Sequence, residues 1–409
     1  MALGMMWRRL WLAGVVLLAL RVDAQPRVAA PAAPLPAFTI SVLTFGPGDQ
    51  VFEKFGHNAL RIRDHRTGSD LAYNWGMFSF NEPNFLGRFL SGTSRYWVAA
   101  YPTEQVLEVY AASDRSIVEQ RLALPDSVAA ALVARVEANA LEENKYYAYD
   151  YYRDNCSTRL RDHLDAVLGG ALRTQLQAQT AERKLSSYRT ESLRLMWEQP
   201  LTRLGINIAL GRPADRPIDG WEESFVPMRL RDRLAKVQVG GVPLVRDTRV
   251  LYEARRMPEP PSYAPSSPLT RLLTIVIPAM LVVGGMAVLA LRYRASRTLG
   301  ALTMVWALLS VLIAAVLLGM WFGSAHVFWY RNPHLFLFSP LALGLFPVAW
   351  RAMRGRALPA WARPLAWTLT GSTLLAWIVV SRPDGFILGA IPFLGMLPLF
   401  LVVSTEPRA

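Results

Sequence analysis

The chain carries one cysteine and five histidines. The cysteine sits in Asp154-Asn155-Cys156-Ser157-Thr158-Arg159. A single thiol allows no intramolecular disulfide and no cysteine-based zinc site. Asp154 or Asn155 suits a helix N-cap, which puts Cys156 in the first helical turn. Free backbone N–H groups and the helix dipole stabilise a thiolate there, and Arg159, one turn on, adds positive potential. The same N–H groups are placed to hold an oxyanion on a substrate carbonyl. A buried, inert thiol on the apolar side of Leu160 is the competing reading. A thiol nucleophile needs a base. His163 lies seven residues along the same helix, too far to touch the thiol. His65 falls in a hairpin turn, exposed to solvent. His57 starts a strand after Phe55-Gly56, where backbone can lie tight against a neighbour, and is the base by elimination. Asn58, Tyr73 and Asn74 are open candidates for the group that orients its ring. A metal site finds little support, since no His pair in this region has i,i+4 spacing. Asp215 and Asp219, around Arg216-Pro217, read as a turn and helix cap. No cofactor is implied.

These residues need elements to hold them. Phe38 to Thr44 is a β-rich run, followed by a turn at Gly46-Pro47-Gly48. Asn58 to Arg63 alternates, and a hairpin returns through Leu71 to Trp75. Trp97 to Tyr101 and Gln105 to Ala111 read as further strands. Pro125-Asp126-Ser127 opens a helix to about Asn144. The Cys156 helix carries Leu160, Leu164, Val167 and Leu168 at helical spacing and ends at Gly169-Gly170. Residues 180–238 read as mainly helical, broken around 211–220, and Val242 to Ala254 as a closing hairpin. The pattern is α+β.

The apolar fraction is 52% over 409 residues, concentrated at the two ends of the chain. Residues 1–24 read as a signal peptide: Arg8 and Arg9, an apolar core, then Val22-Asp23-Ala24. Residues 25–36 are a Pro- and Ala-rich tether, 37–256 the exported soluble domain, and 257–268 a Pro-rich linker. Residues 269–404 carry about five apolar stretches, near 272–291, 299–322, 335–350, 364–380 and 385–403, so an all-α bundle of about five transmembrane helices is expected. Arg292, Arg294 and Arg297, then Arg351, Arg354, Arg356 and Arg363, mark two cytoplasmic loops. The segment before Leu269 then faces the periplasm, in agreement with the signal peptide. So does the loop 323–334, where His326, Asn332 and His334 form a second polar cluster. The net charge of +13 lies largely beside apolar segments and does not point to nucleic acid.

Phe55-Gly56-His57-Asn58-Ala59-Leu60-Arg61, Tyr73-Asn74-Trp75-Gly76-Met77-Phe78 and Asp154-Asn155-Cys156-Ser157-Thr158-Arg159-Leu160-Arg161-Asp162 together resemble the Lnb-type lipoprotein N-acyltransferase family. Leu210-Gly211-Arg212-Pro213-Ala214-Asp215 and Asn332-Pro333-His334-Leu335-Phe336 are similar to it as well, with His334 standing where a second Asn is expected. The resemblance covers roughly 40–250 well and the membrane half more loosely. It implies a Cys/His acyltransferase with Cys156 as nucleophile and His57 as base. The acyl chain would pass from a phospholipid to the α-amine of a lipoprotein diacylglyceryl-cysteine. The implied place is the bacterial inner membrane, with the catalytic domain in the periplasm. Cysteine at a helix start with histidine upstream also looks like the permuted papain-like and NlpC-type enzymes. A periplasmic thiol hydrolase (peptidase or phospholipase) and a non-catalytic envelope protein are the alternatives.

Overall fold

Eight residues of alternating character, Phe38–Phe45, form β1, next to the central strand of an antiparallel sheet. The strands are β2 His57–Asp64, β3 Asp70–Met77, β4 Arg95–Pro102, β5 Ile117–Leu122 and β6 Tyr146–Ala148. A small pair follows, β7 Gln238–Val239 and β8 Val242–Pro243, and then β9 Val245–Tyr252. The seven-stranded sheet runs β6-β4-β3-β2-β1-β5-β9. The computed structural model describes residues 36–81, 83–179, 186–261, 273, 276–380 and 391–405. The signal peptide, nearly all of the tether and most of the linker lie outside these residues.

Central strands bury both faces, and helices cover both. On one face Val42, Leu60, Ile62 and Trp75 meet Leu132 and Val136 of the helix Asp126–Ala140 and Leu160 and Leu164 of the helix Cys156–Val167. On the other, Leu43, Phe45, Ala59, Ala72 and Ile117 meet Val106 of the helix Thr103–Ala112. The strand expected over Gln105 to Ala111 is therefore a helix. Val106 is buried and Leu107 and Tyr110 partly so, whereas Val109 is exposed, a spacing of one and four that only a helix satisfies. The closing hairpin over Val242 to Ala254 is also different. β7 and β8 turn on Gly240-Gly241, and β9 pairs with β5 at the sheet edge. A short helix, Phe85–Ser91, was not anticipated.

The C-terminal part is helical. Among the described residues one helix, Ser296–Gly323, is long and apolar enough to cross a membrane. A second span arises only if Val327–Phe336 and Pro340–Met353, bent by 41°, count as one. Among the described residues the expected five or so spans are thus corrected to one or two candidates. Within 272–291 the described residues give the shorter apolar helix Ile277–Arg292. Pro333 and Pro340 break the third stretch into 3₁₀ turns. Thr, Ser and Gly dilute the helix Ala362–Val380. The last stretch yields two short helices, Ile391–Leu394 and Leu397–Thr405, with 381–390 outside the described residues.

The sheet and the helical part are in direct contact. The Ala325 N–H donates to the Ser91 carbonyl at 2.9 Å, and the His326 ring meets the Phe89 carbonyl at 2.8 Å. Farther along, the Gly211 N–H donates to the Phe328 carbonyl at 2.7 Å. Asn332 donates to the carbonyls of Ile208 and Ala209.

Candidate active site

Asn155 caps the Cys156 helix. Its Oδ1 accepts from the N–H groups of Ser157 and Thr158 at 2.9 and 3.0 Å, and Thr158 Oγ1 accepts in return from the Asn155 N–H. Its amide nitrogen donates to the Tyr151 and Phe225 carbonyls, both at 3.0 Å. Cys156 is the first helical residue, as the sequence predicts, and is half-buried. Backbone N–H groups of Asn58, Ser157 and Cys156 itself point at its sulfur. The thiol therefore lies at the start of β2, beside the residue that follows His57. Gly76, at φ 85°, closes the other side; a Cβ there would sit 3.6 Å from that of Cys156 and 3.9 Å from the Tyr147 hydroxyl.

Register explains the imidazole's partner. Ala59 faces Asn74 across β2 and β3, and His57 shares Ala59's face of the sheet. Asn74 Oδ1 then reaches His57 Nε2 at 3.2 Å, while Asn74 Nδ2 donates to the Ala72 carbonyl at 2.9 Å. That second bond fixes the amide's orientation, so the atom facing His57 can only accept. Nε2 must carry the proton, which leaves Nδ1 with a free lone pair. Phe45 and Tyr110 stack with the ring at 5.9 and 6.0 Å between centroids. Gly56 makes the approach to β1 feasible, because a Cβ would meet the Phe45 carbonyl oxygen at 2.8 Å. A direct hydrogen bond between thiol and imidazole is not present among the described residues; such bonds often tighten only when substrate is bound.

Both groups rest in their neutral forms. Burial, helped by the nearby Arg115 charge, holds His57 down to about 4 against the opposing Asn74 bond. Burial pushes the Cys156 thiol up, and it outweighs the three N–H groups and Arg115, which favour the thiolate. The thiolate expected from the helix start is therefore not the resting state: desolvation is larger than the dipole here.

The other candidates separate. Asn58 presents its backbone to the sulfur, while its side chain donates to Thr44 Oγ1 and the Leu43 carbonyl. Tyr73 lies in the core beneath the sheet. Arg159 does not aim its charge at the thiol. It pairs with Asp154 at 2.5 and 2.7 Å and lies over the Tyr147 ring at 3.9 Å. His163 packs on Trp75 and meets Asn139, and His65 is exposed beside Thr39. His326, Asn332 and His334 join the two parts of the molecule and share no hydrogen bond or ring contact with Cys156 or His57 among the described residues. Asn332 Oδ1 accepts from the His334 N–H at 2.9 Å and faces its Nδ1 at 3.0 Å. Among the described residues, no group of His, Cys, Asp and Glu could hold a metal.

Three contributors escaped the sequence reading. Arg115 is 5% exposed, donates to the Gly46 carbonyl at 2.9 Å and lies over Tyr110. Nothing local marks it among so many arginines. Tyr147 and Tyr149 belong to the aromatic run 146–152 just before the thiol, a density of rings that is a usable signal.

The family model described as the Lnb N-terminal periplasmic domain matches residues 25–191. No curated protein and no solved structure gives a match. The matched span contains His57, Asn74 and Cys156, and with the long apolar helix it fits a membrane protein that carries a periplasmic domain. Residues 25–191 thus match the same family of periplasmic domains that the motifs around His57, Asn74 and Cys156 resemble.

Proposed function

We propose that the protein is a thiol-dependent acyltransferase of the bacterial inner membrane, its site in the periplasm, and that Cys156 and His57 do the chemistry. The supporting observation is the His57–Asn74 bond: with Asn74 Oδ1 accepting at Nε2, Nδ1 is left free to act as a base, on the residue next to Asn58, whose backbone lies at the Cys156 thiol. In the forward half-reaction Nδ1 takes the thiol proton as sulfur attacks the ester carbonyl of a glycerolipid. The N–H groups of Asn58 and Cys156 are placed for the oxyanion. The C–O bond breaks, the leaving alkoxide takes the proton back from His57, and a Cys156 thioester remains with a lysolipid. In the second half-reaction a primary amine attacks the thioester, His57 removes a proton, the C–S bond breaks and the thiol is restored. The proposed donor is a phospholipid and the proposed acceptor the α-amine of a lipoprotein diacylglyceryl-cysteine. Both stay in the bilayer, since moving each CH₂ into water costs about 0.8 kcal/mol. The seven-stranded sheet with histidine on a strand and cysteine at a helix start also supports a permuted papain-like relationship.

The test is purified full-length protein in vesicles with an acyl-labelled phospholipid and a diacylated lipopeptide. The expected result is a hydroxylamine-labile label on Cys156 and a lipopeptide heavier by one acyl group. An N-acylated lipopeptide of unchanged mass would keep the thiol chemistry but replace the phospholipid by the acceptor's own ester. Free fatty acid alone would make the protein a hydrolase. Full activity of Cys156→Ser would end both readings.

A further inference from the structure

Beside the thiol a row of aromatic rings leaves the sheet and ends at the loop that follows the long apolar helix. It begins at Tyr149, which packs against the same core cluster as Cys156 and stacks on Tyr96 at 4.0 Å. Tyr96 meets Phe78 at 5.2 Å, Phe78 meets Phe85 at 5.6 Å, Phe85 meets Phe89 at 6.5 Å and Phe89 meets His326 at 5.9 Å. His326 follows Gly323, the end of the helix Ser296–Gly323, by three residues. Along the middle of this row apolar surface is uncovered, while Tyr96 and His326, near its two ends, are buried. Phe80 is 62% exposed, Leu86 66% and Phe52 50%. Phe80 packs edge-on against both Phe78 and Phe85. Aromatic side chains clustered in the open, on a segment hydrogen-bonded to the membrane-side loop through Ser91 and Phe89, mark a binding surface rather than a core.

We infer that the row Phe78–Phe80–Phe85–Leu86–Phe89 is a track that holds the acyl chain of a membrane glycerolipid between the bilayer and Cys156. The inference rests on the acyl-transfer reading above. Continuity argues for this occupant. One end of the row is the thiol's own aromatic surround, and the other is the end of the apolar helix. An acyl chain is the partner that can lie against rings along the whole path and still present an ester at the sulfur. The rings are stiff, so little side-chain freedom is lost when a chain lies on them.

Two measurements on the full chain test this separately from the chemistry. In the first, Cys156→Ala is placed in vesicles containing a phosphatidylethanolamine with a photoactivatable diazirine on one acyl chain. Cross-links are expected on residues 78–90, about tenfold above those from a headgroup diazirine. Cross-links confined to the helix Ser296–Gly323 overturn the track. In the second, Phe80→Ser/Leu86→Ser lowers the ratio of Cys156 acylation by a long-chain over a short-chain donor about tenfold, while Val242→Ser, on β8, leaves that ratio alone. An unchanged ratio in the double variant overturns the track. So does a purified dimer whose formation abolishes the cross-links, since a second copy would then own this face. If the wild type forms no thioester from any glycerolipid, the acyl-transfer reading fails by itself, and the cross-link map still decides the track.

Discussion

On the proposed reading, a thiol and an imidazole held in neutral form by burial set the chemistry at the smallest scale. His57, held down to about 4, is an unprotonated base at neutral pH and loses that capacity only on acidification. kcat/KM for acylation is expected to rise through about pH 4 and stay level over roughly pH 5 to 8. A limb near pH 6.5 instead would mean that the ring is solvated in solution. Asn74 acts through His57. Asn74→Ala should cost about a hundredfold in kcat with little change in KM, because a freely turning ring presents the wrong nitrogen. His57→Gln should lose about 10²–10⁴-fold. Intact-protein mass spectrometry of the thioester reads all three. Cysteine and histidine were legible because each is rare in this chain. Asn74 could be named but not chosen over Asn58 and Tyr73, since the choice depends on register: Ala59 against Asn74 puts that amide on the imidazole's face.

Local elements account for where the thiol sits. Asn-Cys-Ser-Thr announces a helix start in sequence, and the cap forms as read. Of the amide's other two bonds, the one to Tyr151 is local and the one to Phe225 joins segments 70 residues apart and was invisible there. Asn155→Ala should therefore cost more than an ordinary cap, about 2 kcal/mol in urea unfolding. Asn155→Asp, which keeps the cap oxygen and loses the donors, should recover only part of it. Equal stability of Ala and Asp variants would deny the cap a role. The misread segment 103–112 shows the limit of pattern reading. Val106, Leu107 and Val109 in a short run suit a strand or a helix, and only the partners Phe45, Ala59 and Ala72 across the sheet decide it. Tyr110 was lost with that segment, because its stacking on His57 depends on the helix.

At the scale of the whole molecule, the α+β sheet was readable from alternation and turn residues, while the membrane part was overcounted because apolar composition alone does not see where Pro and Gly break a helix. In the domain that carries the sheet, His57 and His163 tie stability to pH. His57 and His163 are both held at about 4, His163 by burial and by Arg135 and Arg159. An unfolded chain binds those protons near 6.5, so stability is full above that value and falls as pH drops toward 4, by about 3 kcal/mol for each ring. Melting at pH 7 and pH 4.5 should show the loss, and His163→Gln should reduce it; an identical loss in that variant would place its origin elsewhere. Gly211 lies so close to the Tyr330 carbonyl that a Cβ would collide with it. Gly211→Ala should free the 326–332 loop and raise hydrogen exchange at the Gly211 and Ala325 amides. Those contacts, with the Ser91 and Phe89 pair, join the domain that carries the sheet to the helical part at two separate places. For any substrate that stays in the bilayer, encounter then happens in a plane. The rate should follow the mole fraction of substrate in the lipid and ignore the volume of buffer: diluting vesicles leaves turnover unchanged, while diluting substrate with inert lipid slows it in proportion.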